Sequence, residues 1–274
     1  MPQATPPKEG EEVELVTSAD GTEIAFERTG SGPPLLLVHG MVGDRDNWEA
    51  LELRSPLAEH FTVCTMDRRG HGDSGGEGPY EIERVFEDII TVVEEIEEPV
   101  ALFGLSTGGV YALGAASRTD NVRALLLYEP SLQFGQGAEA AESYTEMMSL
   151  LDTGKAEEAL LVALEDFGHL SSEEINLIQS SPLWQEQMEL VHTVPWEIEA
   201  ITGYEFDPDQ FRNMSTPTLL ITGSESARPY KDGIKRTEEA LPDVHVATIE
   251  GHGHAGLATA SERFLEEVLT FAGE

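Results

Sequence analysis

"VALFGLSTGGVYALGAAS", residues 100–117, is the stretch whose reading decides the fold. It opens as an apolar run of strand length, passes through Gly104, Ser106 and Gly108, and continues as small residues suited to a closely packed helix. A serine on a sharp turn from a buried strand into a helix is pushed out at the carboxyl edge of a sheet, where backbone N–H groups converge on it. The flanking glycines permit that turn and the close approach of the helix.

A second G-x-S-x-G match, Gly72, Ser74 and Gly76 in "RRGHGDSGG" (68–76), competes with the first. On the order of one chain in ten of this length carries the pattern from average Gly and Ser usage, so context has to choose. Ser74 lies in a glycine-rich loop ahead of Pro79, and no helix starts at it. "GDSGG" also matches trypsin-like proteases, but those need the order His, Asp, Ser on antiparallel barrels. Ser106 is the candidate nucleophile, and Ser74 is expected to be a loop hydrogen-bonder.

Working outward, "EVELVTSADGTEIAFERTG" reads as two strands joined at Asp20-Gly21, a hairpin turn signal. "PPLLLVHG", "HFTVCTMD" and "VALFG" are strands without polar alternation, as expected of a sheet covered on both faces. "YEIERVFEDIITVVEEIEE" sets Ile82, Val85, Phe86, Ile89, Val93 and Ile96 on one helical stripe. "VRALLLYEP" follows as a strand; near the end, strand "TPTLLITG", helix "YKDGIKRTEEAL", strand "VHVATIEG" and helix "SERFLEEVLTF" resume the alternation.

This pattern predicts an α/β fold with a mostly parallel central sheet and helices on both faces. From 131 to 213 the strand signal disappears. That stretch is helical and holds Met147, Met148, Phe167, Trp184, Met188 and Trp196, so it reads as a helical cap inserted into a core formed by 13–130 and 214–274. Residues 1–12 read as a disordered tail rich in proline and acidic groups.

With 274 residues and 40% hydrophobic content the chain has enough apolar side chains for one large core. Its 52 acidic residues against 16 basic give a net charge of −36, which repels nucleic acid and anionic membrane surfaces. So acidic a balance with only four lysines resembles proteins of salt-accumulating organisms, and predicts a fold that requires salt. A single cysteine, Cys64, excludes an internal disulfide framework or a thiol metal cluster and reads as a small buried hydrophobe. The opening segment has no apolar leader, so a cytoplasmic location is expected.

"HGMVGD" (39–44), "DRRGHGDS" (67–74), "GLSTG" (104–108) and "GHGH" (251–254), in that order and spacing, make the chain resemble an α/β-hydrolase-fold protein from about residue 13 to the end. The resemblance implies an oxyanion hole made by the backbone N–H groups of Met41 and Thr107. His39 and His71 lie in the same motifs but read as structural, since a buried histidine tying loops together is commoner than a second base, and Asp67 and Arg68 similarly read as a strand-end pair holding the loop. The family's G-x-G-H pattern maps the catalytic imidazole onto His254, with His252 the lesser choice.

The family's acid commonly follows the seventh strand, but that position here is Ser226. Glu129, just past the sixth strand, and Glu225 are the two substitutes, with Glu129 preferred because an unpartnered carboxylate after so apolar a strand is costly. The implied function is a serine hydrolase cleaving the carboxylic ester of a small, largely apolar substrate through an acyl-enzyme, without metal or organic cofactor. Perhydrolase, amide and C–C bond chemistry use the same triad. A non-catalytic ligand-binding or scaffold role on this fold is the alternative of another class. The expected partner is a small-molecule acyl substrate.

Overall fold

The structure, a computed structural model, describes residues 13–132, 134–135 and 137–273; the expected N-terminal tail, residues 1–12, lies outside them. Strands β1 (Glu14–Thr17) and β2 (Glu23–Gly30) form the hairpin, followed by β3 (Pro34–Val38), short helices α1 (Asn47–Ala50) and α2 (Arg54–Ala58), β4 (Thr62–Met66) and α3 (Ile82–Glu95). Strand β5 (Val100–Leu105), helix α4 (Thr107–Ala116) and β6 (Val122–Tyr128) complete the first half. Five helices then follow without a strand among the described residues: α5 (Ala138–Asp152), α6 (Ala156–Val162), α7 (Ser172–Gln179), α8 (Leu183–Leu190) and α9 (Val194–Thr202). The chain returns to the sheet with β7 (Thr218–Gly223), α10 (Arg228–Ala240), β8 (Val244–Ile249), α11 (Gly256–Thr259) and α12 (Ser261–Ala272).

The eight strands lie in the order β1-β2-β4-β3-β5-β6-β7-β8. Only the β1/β2 and β2/β4 pairs are antiparallel; from β4 to β8 the sheet is parallel. Successive side chains of a strand point to opposite faces, and here both faces are filled. Leu36 and Val38 of β3 join the layer under α3 and α4, while Leu35 and Leu37 join Trp48, Phe103, Phe264 and Val268 on the other side. Burial on both faces explains the near-continuous apolar runs of β3, β5 and β6. All six stripe residues expected on α3 are buried, and so is Cys64. No helix among the described residues is long and apolar enough to cross a membrane.

This order brings the carboxyl ends of β3, β5, β6, β7 and β8 side by side along one edge. The loops leaving them carry Met41, Ser106, Glu129, Glu225 and His254, although these residues are scattered over more than two hundred positions of sequence.

Candidate active site

Ser106 stands at the turn between β5 and α4 with φ 56° and ψ −116°, a conformation that a non-glycine residue adopts only when its surroundings impose it. They do: the Ser106 N–H donates to the Tyr128 carbonyl (2.8 Å), and the Ser106 carbonyl accepts from the Gly109 and Ser131 N–H groups. The neighbouring glycines leave no alternative. A methyl group on Gly108 would come 2.3 Å from the His39 carbonyl oxygen, and one on Gly104 2.6 Å from that of Gly108. The Ser106 hydroxyl pairs with Ser131 Oγ at 3.0 Å.

His254, in the loop between β8 and α11, shares a 2.6 Å hydrogen bond between its Nδ1 and Oε2 of Glu129. The other carboxylate oxygen of Glu129 accepts from Thr222 Oγ1 (2.7 Å) and the Gly223 N–H (2.9 Å) at the end of β7. Glu129 is fully buried and has φ 45°. Burial pushes its carboxyl toward the neutral form, but the hydrogen bond and charge of His254, helped by Ser226 and Thr222, outweigh that and hold it below the ordinary value. Ser226, where an aspartate was expected by family pattern, is thus a buried neighbour of the carboxylate that fills the place from β6. Glu225 is exposed at the surface, and His252 turns its Nδ1 to Thr259 Oγ1 at 2.7 Å.

Tyr230, at the start of α10, stacks on the His254 ring with centroids 3.9 Å apart and planes 8° apart. Its hydroxyl donates to the Gly168 carbonyl (2.6 Å) in the helical insertion. Glu174 of α7 makes a second tie across the same gap. It closes the capping box of its own helix with Ser171 and accepts the Ala255 N–H at 2.9 Å, next to His254. Sequence reading missed Ser131, Tyr230 and Glu174; the last alone carries a local signal, the S-x-x-E spacing of Ser171 and Glu174.

Ser106, His254, Tyr230 and Met41 line one cavity of about 120 Å³, walled in part by apolar residues such as Leu164 and Leu183 from the helices between β6 and β7. The loop after β3 passes close to the serine, since a methyl on Gly40 would lie 3.3 Å from Ser106 Cβ. Thr107 heads α4, whose first N–H groups have no acceptor inside the helix. Met41 follows Gly40 in that loop and lines the cavity, and Thr107 follows Ser106 directly.

Behind this cavity sits a buried polar frame. Arg68 donates to Glu197 Oε1 of α9 (2.9 Å) and to the Gly40 carbonyl (2.8 Å), and its N–H donates to His39 Nε2 (3.1 Å). His71 lies 3.4 Å from the same Glu197 oxygen. Burial, then the Arg68 charge, depresses both imidazoles below their ordinary values, so they serve as neutral spacers. Glu197 is driven up by burial but more strongly down by Arg68 and His71, to about 2. The expected Asp67–Arg68 pair does not form: Asp67 takes the guanidinium of Arg45 and the Arg45 and Asp73 N–H groups instead. Ser74 accepts from the Ala25 N–H (2.8 Å) and donates to the Asp67 carbonyl (2.7 Å), a loop role as expected.

A mostly parallel sheet with a serine on a strand-to-helix turn, an imidazole lining the same cavity and a carboxylate bonded to that imidazole define the α/β-hydrolase class. The chain belongs to the alpha/beta hydrolase family, whose model matches residues 35–267. It is 32% identical over 238 residues to the uncharacterized hydrolase YraK of Bacillus subtilis (strain 168), covering 77% of this chain and 79% of that protein. It is 26% identical over 267 residues to a pimeloyl-[acyl-carrier protein] methyl ester esterase of Nitrosospira multiformis, covering 90% and 97%. An alpha/beta hydrolase of Sphaerobacter thermophilus DSM 20745 superposes with a TM-score of 0.76 at 30% identity, covering 92% of this chain and 99% of that one.

Proposed function

We propose that the protein is a serine hydrolase that cleaves the carboxylic ester of a small, largely apolar acid through an acyl-enzyme. The observation that carries this reading is the 2.6 Å contact between His254 Nδ1 and Glu129, made beside a serine held at positive φ. With Nδ1–H donated to the carboxylate, Nε2 is left as the base. The imidazole takes the Ser106 proton once the hydroxyl turns from Ser131, and Ser106 Oγ attacks the acyl carbon. The Met41 and Thr107 N–H groups hold the developing oxyanion. His254 then protonates the leaving alcohol, and water repeats the cycle to release the acid.

Apolar walls favour an uncharged acyl chain, and a hydrolase assignment agrees with the esterase activity named for the Nitrosospira relative. A missing carboxylate after β7 would favour a non-catalytic scaffold; Glu129 in contact with His254 supports the catalytic reading instead. The test is fluorophosphonate labelling combined with turnover of short-chain aryl esters. Ser106→Ala should lose both, and a variant that still labels and turns over ends the proposal.

A further inference from the structure

The hydrogen bond from Glu129 holds one corner of the His254 ring, at Nδ1, and leaves the plane of the ring free to tilt, because such bonds tolerate about 30° of misalignment. The aim of Nε2 depends on that plane. Tyr230 lies face to face with the imidazole, with 3.9 Å between centroids and 8° between planes. Tyr128, the other tyrosine near it, stands 6.0 Å away and tilted by 48°, which does little to fix a plane. Among the described residues the overlap with Tyr230 is therefore the ring contact that opposes a tilt. The rings packed in the adjoining core, Trp48 on Phe103, Phe103 on Phe264 and Tyr128 on Phe264, meet edge on instead.

Tyr230 is itself held at both ends. Pro229 stiffens the first turn of α10 beside it, and its own N–H donates to the Ala227 carbonyl at 3.1 Å. The phenol donates to the Gly168 carbonyl at 2.6 Å. That carbonyl belongs to the peptide shared with His169, whose φ of 47° a non-glycine residue adopts only where its surroundings impose it. Gly168 has no slack either, since a methyl there would come 2.8 Å from the Leu164 carbonyl oxygen and from Leu170 Cδ1. The tyrosine as a whole is 2% exposed. We infer that Tyr230 is the positioning residue for the base: its face sets the plane of the His254 ring, and its phenol ties that plane to the helices between β6 and β7. The inference rests on the serine-hydrolase reading and adds to it a residue that acts through the imidazole. The electron-rich face of the phenol also favours the imidazolium formed when Ser106 gives up its proton.

The test compares the parent, Tyr230→Phe and Tyr230→Leu by steady-state kinetics on a short-chain aryl ester and by the rate of fluorophosphonate labelling. An aromatic pair shifts an equilibrium between aligned and tilted rings by about two- to tenfold. Tyr230→Leu should therefore lose about fivefold or more in kcat and in labelling rate. Tyr230→Phe, which keeps the face and loses only the bond to Gly168, should stay within about threefold of the parent. A smaller loss in the leucine variant, a loss confined to KM as a widened cavity wall would give, or a phenylalanine variant that falls as far as leucine overturns the inference. Tyr230→Met takes the place of leucine should that variant unfold. A second measurement needs no change at position 230. In alkaline buffer the ring current of Tyr230 should set the Cε1–H proton resonance of His254 upfield of that of the exposed His60, the two identified by their absence from His254→Gln and His60→Gln. A His254 resonance level with or downfield of that of His60 overturns the stack. Labelling separates the two failures: a parent and a leucine variant that label at the same rate remove only the role of Tyr230, whereas a parent that does not label removes the serine-hydrolase reading and this role with it.

Discussion

Glu129 shows how much of the candidate site one side chain sets. It receives Thr222 Oγ1 and the Gly223 N–H from β7 while holding His254 from the loop after β8, so one carboxylate ties three strand ends together. Replacing it by glutamine should favour the wrong imidazole tautomer, with kcat falling by about 10⁴. Glu225→Gln should leave the rate near that of the parent, and steady-state kinetics on an aryl ester would reverse this assignment if only the second change slowed turnover. Ser131 gives a prediction of opposite sign. Its hydroxyl holds that of Ser106 at 3.0 Å, so on the proposed mechanism Ser131→Ala should release the Ser106 hydroxyl and speed fluorophosphonate labelling by about two- to tenfold, the worth of one hydrogen bond. Ser106 and His254 were legible in the sequence because each lies in a short motif with a fixed neighbour. Glu129 was legible only as one of two candidates. Its partner comes from 125 residues further along the chain, and only the adjacency of β6 and β7 in the sheet separates it from Glu225.

Among the elements, the strands and their order of succession were readable because burial on both faces leaves β3 and β5 without charged residues and β6 with Arg123 alone, and α3 has a continuous apolar stripe. The ties between elements were not readable. Asp67 and Arg68 look like a pair because they are neighbours, yet consecutive side chains of an extended segment point to opposite faces. One therefore meets Arg45 and the other crosses to Glu197 on α9. Nothing local to "PWEIEA" marks Glu197 as the partner, since that requires knowing where α9 lies on the core. Both groups of this pair are fully buried, so Glu197→Gln strands the guanidinium and should cost about 3–5 kcal/mol in a urea titration. Changing both residues to methionine should recover much of the loss. The pH dependence follows from the depressed carboxyl of Glu197. Its stabilisation is complete above the ordinary value of 4.5 and is lost as pH falls toward about 2. The melting temperature of the parent should therefore drop more steeply across that interval than that of Glu197→Gln.

For the molecule as a whole, charge governs behaviour in solution. A balance of 52 acidic to 16 basic residues leaves most surface carboxylates without a cationic neighbour, and their repulsion acts over about 10 Å in dilute buffer and about 3 Å in molar salt. The melting midpoint is expected to rise with KCl, and equal midpoints in dilute and multimolar KCl would count against this reading. The same repulsion weighs on the acidic helices between β6 and β7, which gives special weight to Glu174, the residue that completes its own helix cap and accepts the Ala255 N–H beside the imidazole. The inserted helices and the histidine loop thus share a rivet. A chimera that borrows a relative's helices between β6 and β7 would pull out that rivet, leaving the histidine loop slack unless the glutamate is transplanted too.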